Sequence, residues 1–76
     1  MNAKEEKYLK KLGLKIKSLR ESKNIDQKAF AFDCEIARTQ LYMIENGRTN
    51  PRIVTLIKIA STLEIQLVDL LTIDNK

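Results

Sequence analysis

Apolar residues recur every three or four positions along most of this chain, and this spacing is typical of amphipathic helices. The longest such stretch predicts a first helix over about residues 4–23, with apolar positions at Leu9, Leu12, Ile16 and Leu19. The same pattern predicts four further helices, over about residues 27–33, 38–46, 52–63 and 66–71. The 76 residues are thus predicted to form one compact all-α domain of five helices. Its core is expected at about residues 9–72, with short frayed ends.

Residues that favour helix ends separate the predicted helices. Asn24 tolerates the left-handed conformation and is suited to end the first helix, and Asp26 is a good N-cap for the second. Gly47 is placed to end the third helix and opens a loop that closes at Pro51. Gly13 lies inside the first helix, where glycine costs about 1 kcal/mol relative to alanine. A close contact with another helix is therefore predicted at Gly13.

The helical periodicity also predicts which side chains are buried. Phe30 and Ala31 are expected to face the core from the second helix, and Cys34 to fill an apolar position in the turn that follows. The fourth helix is expected to bury one apolar stripe, formed by Ile53, Leu56, Ile59, Ala60 and Leu63.

The basic charge of the chain is concentrated near its N-terminus. The formal net charge is +4, and residues 1–23 carry eight Lys or Arg against three Glu. Such a segment suits nucleic acid or an anionic membrane surface, although a solvated helix face would have the same composition.

Composition also disfavours several kinds of site. The chain has no histidine and one cysteine, so we expect no enzyme active site, no disulfide within the chain, no metal and no cofactor. No apolar run approaches the ~20 residues of a membrane span, and the N-terminus lacks the apolar core of a signal peptide. These features predict a cytoplasmic protein of bacterial or phage type.

The third predicted helix carries the most informative pattern. Leu41 and Ile44 lie three residues apart and are expected to face inward. The side chains left facing outward are those of Arg38, Thr39, Gln40, Tyr42 and Met43. A helix with hydrogen-bonding side chains at its exposed N-terminal end has the geometry needed to enter the DNA major groove. Packing of Tyr42 and Met43 on a neighbouring helix is the alternative.

Several segments together resemble a known family. They are Leu-Arg-Glu-Ser-Lys at 19–23, Gln27 and Ala31, Ile-Glu-Asn-Gly-Arg-Thr-Asn-Pro at 44–51, and Asp-Leu-Leu at 69–71. Over about residues 9–72 the chain resembles the lambda-repressor-like (Cro/repressor-type, XRE) helix-turn-helix domains. The resemblance implies that the second and third helices form the DNA-reading unit. It also implies a homodimer that binds double-stranded DNA at inverted-repeat operators.

Three further sets of residues have predicted roles, and the resemblance implies those of Gln27 and of the pair Arg20 and Glu45. Gln27 would contact a phosphate, with a plain capping role as the alternative. The loop before the fourth helix would clamp phosphates through Asn46, Arg48, Thr49, Asn50 and Arg52, although Asn50 would serve equally well as a turn residue. Arg20 and Glu45 would form a partly buried ion pair with a structural role.

Four positions depart from the pattern of this family. Glu35 and Glu64 stand where glycine is usual, and a left-handed conformation costs a residue with a side chain about 1 kcal/mol or more. Ala37 and Gln66 stand where a Ser or Thr cap is usual, and the loss of a cap typically costs ~1 kcal/mol. The fold is expected to persist with modest stability.

Apolar residues in excess of what a small core needs suggest a homodimer seam near the C-terminal helix. The predicted seam residues are Ile57, Leu67, Val68 and Ile73. The resulting prediction is a dimeric, sequence-specific transcription regulator, either a repressor or a controller. The alternative is a protein-interaction module, such as an antitoxin that holds a toxin and binds DNA weakly.

Overall fold

A computed structural model of the chain describes residues 1–73 and contains five helices in that part. They are α1 (Ala3–Ser22), α2 (Gln27–Asp33), α3 (Arg38–Glu45), α4 (Ile53–Thr62) and α5 (Leu67–Leu71). Residues 1–73 contain no strand, so the all-α prediction is confirmed, and each helix begins and ends within a residue of its predicted bounds. The predicted frayed tail, at residues 74–76, lies outside the described residues.

All five helices contribute to one core. Ile16, Phe30, Leu41, Ile59 and Leu70, one from each helix in order, are all fully buried. The predicted burial of Ala31 and Cys34 is also confirmed.

The predicted stripe of α4 was wrong at one position. Ile53 is 54% exposed, and Thr55 is buried in its place. Around the helix axis the buried side extends from Thr55 to Ala60. At about 100° per residue, Ile53 lies about 90° from the centre of that side. An apolar side chain in the first turn of α4 is therefore left at the margin of the core.

Helices α1 to α4 end with the same backbone geometry. The residue after each C-cap has a positive φ: 58° at Asn24, 59° at Glu35, 66° at Gly47 and 60° at Glu64. At each end its N–H and the next N–H donate back into the last turn, as Glu35 N does to Phe32 O and Ile36 N to Ala31 O, both at 3.0 Å. This double hydrogen bond is the Schellman motif, and it satisfies carbonyl groups that a helix end leaves free.

The residue that follows the positive φ differs between these ends. After α1, α2 and α4 it is an isoleucine, and Ile25, Ile36 and Ile65 all pack partly buried against the core. After α3 it is Arg48, which is exposed. At three helix ends an apolar side chain therefore packs against the core, whereas at the end of α3 a cationic side chain faces solvent.

Helix starts are capped unevenly. Asp26 Oδ1 accepts from Ala29 N at 2.8 Å, which confirms it as the N-cap of α2. Helices α3, α4 and α5 begin without a side-chain cap, at Ala37, Arg52 and Gln66. The missing caps at Ala37 and Gln66 agree with the sequence prediction.

The predicted close contact at Gly13 joins α1 to the end of α3. A Cβ on Gly13 would lie 2.4 Å from the Ile44 carbonyl oxygen and 2.5 Å from that of Glu45. Both are backbone atoms that cannot yield, so the absence of a side chain at Gly13 permits the two helices to touch.

Helix α5 has only five residues and is held by side chains of α1. Tyr8 Oη donates to the Leu71 carbonyl at 2.5 Å, and Lys15 Nζ donates to the carbonyls of Asp69 and Thr72, the latter at 2.7 Å. These donors satisfy carbonyl groups at the C-terminal end of α5. They therefore stabilise a helix that is too short to be stable in isolation.

Candidate nucleic-acid interface

Helix α3 presents a polar surface at its N-terminal end. Leu41 and Ile44 are buried, as predicted, and they fix which side of the helix faces solvent. Arg38, Thr39, Gln40 and Tyr42 are exposed, whereas Met43 is half-buried. The predicted reading residues are therefore accessible to a ligand, Met43 only in part.

The other end of α3 is fixed to α1 by an ion pair. Arg20 Nε donates to Glu45 Oε2 at 2.7 Å and Arg20 Nη2 to Glu45 Oε1 at 3.1 Å, and both side chains are nearly inaccessible to solvent. Arg20 Nη1 also donates to the Ile25 carbonyl at 2.7 Å. The hydrogen bonds that Arg20 donates to Glu45 raise the pKa of Arg20, and burial only partly opposes this shift. The buried cation thus stays charged and fully paired, which is the condition under which such a pair holds two helices together.

Gln27 belongs to the same network. Its Nε2 donates to Glu45 Oε1 at 2.9 Å, and the side chain is half-buried in the first turn of α2. Asp26 supplies the cap of α2, so Gln27 has no capping role. An amide nitrogen carries two hydrogens, and the second remains able to donate to a phosphate. The sequence did not predict this bond, because it depends on how closely α2 approaches the end of α3.

The loop between α3 and α4 gathers the predicted phosphate donors. Asn46, Arg48, Asn50 and Arg52 are exposed, and Thr49 is half-buried. Asn46 Nδ2 donates to the Tyr42 carbonyl at 2.8 Å, so one of its two hydrogens is used within the helix end. The set lies directly beyond the C-terminal end of α3 and before the first turn of α4.

Several exposed residues outside α3 are apolar. Of the predicted seam, Val68 is 67% exposed and Ile57 is 49% exposed, while Leu67 and Ile73 are half-buried. Phe32 is 82% exposed, and its exposure was not predicted from the sequence. Two residues correspond to about 200° around a helix, so the burial of Phe30 already indicated that Phe32 faces outward.

Comparison with known proteins decides the family. The sequence model of the Helix-turn-helix family matches residues 16–70, which is most of the chain. The chain belongs to this family. The turn between α2 and α3 is thus the turn of the helix-turn-helix unit, and the resemblance seen in the sequence is confirmed.

Several helix-turn-helix relatives are control proteins. The chain is 38% identical to the control protein C.BamHI of Bacillus amyloliquefaciens over 60 residues, covering 78% of this chain and 74% of the relative. It is 39% identical to the control protein C.MunI of a Mycoplasma species over 61 residues, covering 79% and 82%. The crystal structure of the restriction-modification controller protein C.AhdI from Aeromonas hydrophila superposes with a TM-score of 0.79 at 31% identity, covering 82% of this chain and 94% of C.AhdI.

These relationships establish the general function. The protein is a DNA-binding transcription regulator of the helix-turn-helix type. Within residues 1–73, no helix combines the length and the apolar character needed to cross a bilayer.

Proposed function

We propose that this protein is a controller-type regulator that binds an inverted-repeat operator as a homodimer. The observation that carries the proposal is the exposed polar N-terminal end of α3. The C-terminal end of the same helix is fixed to α1 by the close contact at Gly13 and by the Arg20–Glu45 pair. A reading helix must keep its side chains in register with base edges, and a rigid attachment provides this. The control proteins among the relatives support the regulatory role.

The side chains of α3 would divide the work of recognition by their chemistry. Arg38 matches guanine O6 and N7, Gln40 matches the edge of adenine, and the methyl group of Thr39 matches that of thymine. Tyr42 and the accessible part of Met43 would extend this contact by one helical turn.

Phosphate contacts would set the position of the protein on the duplex. Gln27 would contribute its second amide hydrogen, and the loop would contribute Asn46, Arg48, Thr49, Asn50 and Arg52. Contacts of this kind carry no base preference, but they supply much of the affinity and make it dependent on salt.

The exposed apolar residues of α4 and α5 would form the dimer seam. A two-fold arrangement through Ile57, Leu67, Val68 and Ile73 would place two α3 helices about 34 Å apart, one turn of DNA. Because the same patch meets itself across a two-fold axis, each substitution would act twice.

The proposal is tested by selecting bound duplexes from a random library and sequencing them at physiological salt. We expect an inverted repeat whose half-sites are one helical turn apart. Arg38→Ala should relax the preference at one base position per half-site, and Arg48→Ala should weaken all sequences to a similar extent. Recovery of no sequence preference would contradict the proposal and favour a protein-interaction module.

Dimerisation is tested separately by sedimentation. Val68→Glu should shift the protein toward monomer, because it places two carboxylates in an apolar seam. Phe32→Glu is the matched control, since it removes a more exposed apolar side chain outside the seam and should leave the dimer intact. Equal behaviour of the two variants would contradict the assigned seam.

A further inference from the structure

The lysines of α1 lie on different sides of the helix, and their contacts with the other helices differ. Lys15 is engaged with the carbonyl groups at the end of α5. Tyr8 contacts the same end, so the side of α1 that carries Tyr8 and Lys15 faces α5. Lys4 lies on that side too, because it precedes Tyr8 by four residues and Lys15 by eleven.

Lys10 lies on another side of α1, toward the end of α3. It precedes Gly13 by three residues, and Gly13 contacts the backbone of Ile44 and Glu45. Its own backbone meets the next residues of the loop, since a Cβ on Gly47 would lie 2.7 Å from Lys10 Cα and 2.8 Å from Lys10 N. The first turns of α1 are therefore in direct contact with the start of the phosphate-donor loop.

This contact places Lys10 beside two loop residues that are proposed as phosphate donors. Gly47 lies between Asn46 and Arg48 in the chain, and both of these side chains are exposed, as is Lys10. Glu6 lies one turn before Lys10, but an exposed pair at this spacing is weak and screened by salt. The ammonium group is thus available to a stronger anion next to the loop.

We infer that Lys10 contacts a DNA phosphate together with Asn46 and Arg48, so that the N-terminal half of α1 extends the DNA interface. Lys10 lies before residues 16–70, the part of the chain that the family model matches. The inference rests on the proposed function, because it requires that the loop after α3 faces the DNA backbone.

The experiment compares two substitutions that remove the same charge from the same helix. Lys10→Gln and Lys4→Gln are titrated with the selected operator duplex between about 50 and 200 mM salt. Each phosphate contact contributes about 0.9 to the slope of log K against log salt. The homodimer makes this contact twice, so we expect Lys10→Gln to reduce the slope by about 1.8. Lys4→Gln should leave the slope unchanged, and Lys10→Arg should restore it. Both lysines are exposed, so the thermal unfolding of the variants should match that of the wild type.

The outcomes separate the inference from the proposed function. Equal slopes for Lys10→Gln and Lys4→Gln, with a wild type that binds its operator, would overturn the Lys10 contact and leave the regulator assignment in place. A wild type that selects no duplex would overturn both.

Discussion

The turn between α2 and α3 and the turn between α4 and α5 have the same backbone and lead to different helices. In each turn a glutamate with φ near 60° is followed by a half-buried isoleucine, and the next helix starts without a side-chain cap. The corresponding hydrogen bonds, from Glu35 and Ile36 in one turn and Glu64 and Ile65 in the other, are all 3.0 Å long. Local turn geometry therefore does not distinguish a reading helix from any other helix.

The difference lies in how the second helix of each pair is attached. Helix α3 is fixed at its far end by backbone contact at Gly13 and by the buried pair of Arg20 and Glu45. Helix α5 is fixed by two side chains, Tyr8 and Lys15, that reach its last carbonyl groups. A rigid, desolvated attachment suits a helix that must keep register with bases, whereas an attachment through half-buried side chains is weaker.

Among the tests of this contrast, Arg20→Met has the largest expected effect on stability. It leaves the Glu45 carboxylate buried without its cation, and we expect a loss of about 3–5 kcal/mol in the free energy of unfolding. Urea denaturation measures the loss. The double variant Arg20→Met/Glu45→Met removes both charges and should recover most of the stability. A double variant as unstable as Arg20→Met would mean that lost packing, and not the unpaired charge, dominates.

A second test of the α3 attachment is Gly13→Ala. In an open helix this change would stabilise by about 1 kcal/mol, but here the methyl group meets two carbonyl oxygens. We expect a net destabilisation of about 3 kcal/mol, measured by thermal or urea unfolding. Ser18→Ala, at an exposed position of the same helix, is the control and should be nearly neutral or slightly stabilising. A stable Gly13→Ala variant would show that α1 and α3 can separate without loss.

The attachment of α5 is tested by Tyr8→Phe and Lys15→Met. Each removes donors to backbone carbonyls at the partly exposed end of α5, and each should cost about 1 kcal/mol. Hydrogen exchange should show faster exchange of the α5 amides in both variants, with the α3 amides unchanged. Uniform acceleration across both helices would indicate that α5 does not open separately.

The smallest effects are expected from the two turns themselves. Glu35→Gly and Glu64→Gly remove a left-handed strain that glycine does not have, and each should stabilise by less than about 1 kcal/mol. The two gains should be similar, because the turns are alike. Asn24→Gly is the control and should gain less, since asparagine tolerates the left-handed region better than glutamate. Unequal gains at 35 and 64, measured by thermal unfolding, would contradict the equivalence of the turns.

The sequence predicted the features that depend on local pattern. Helix bounds, the cap at Asp26 and the burial of Leu41 and Ile44 follow from periodicity and from the chemistry of helix ends. The close approach at Gly13 was predictable because glycine is unfavourable inside a helix unless space is lacking. The ion pair of Arg20 and Glu45 came from the family resemblance alone, because residues 25 apart show no local signal.

Features that depend on the exact approach of two helices could not be predicted. The bond from Gln27 to Glu45 and the contact of Lys10 with Gly47 require knowledge of how α1, α2 and α3 meet. Ile53 was misplaced because it stands at the margin of a buried stripe, where apolar character alone does not decide burial. The base and phosphate contacts of the candidate site remain predictions.

The turn between α2 and α3 also contains a buried thiol whose reactivity depends on opening of the turn. Cys34, the C-cap of α2, is the one thiol of the chain and is 1% exposed. Burial raises its pKa, and a hydrogen bond with Thr62 only partly offsets this, so the folded protein disfavours the reactive thiolate. In the native state Cys34 can therefore react with a thiol-specific reagent only when the turn opens. The rate of labelling thus measures how often the turn opens. Because the raised pKa is lost on unfolding, native stability should also decline as the pH rises above the ordinary range of a free thiol, near 8.5.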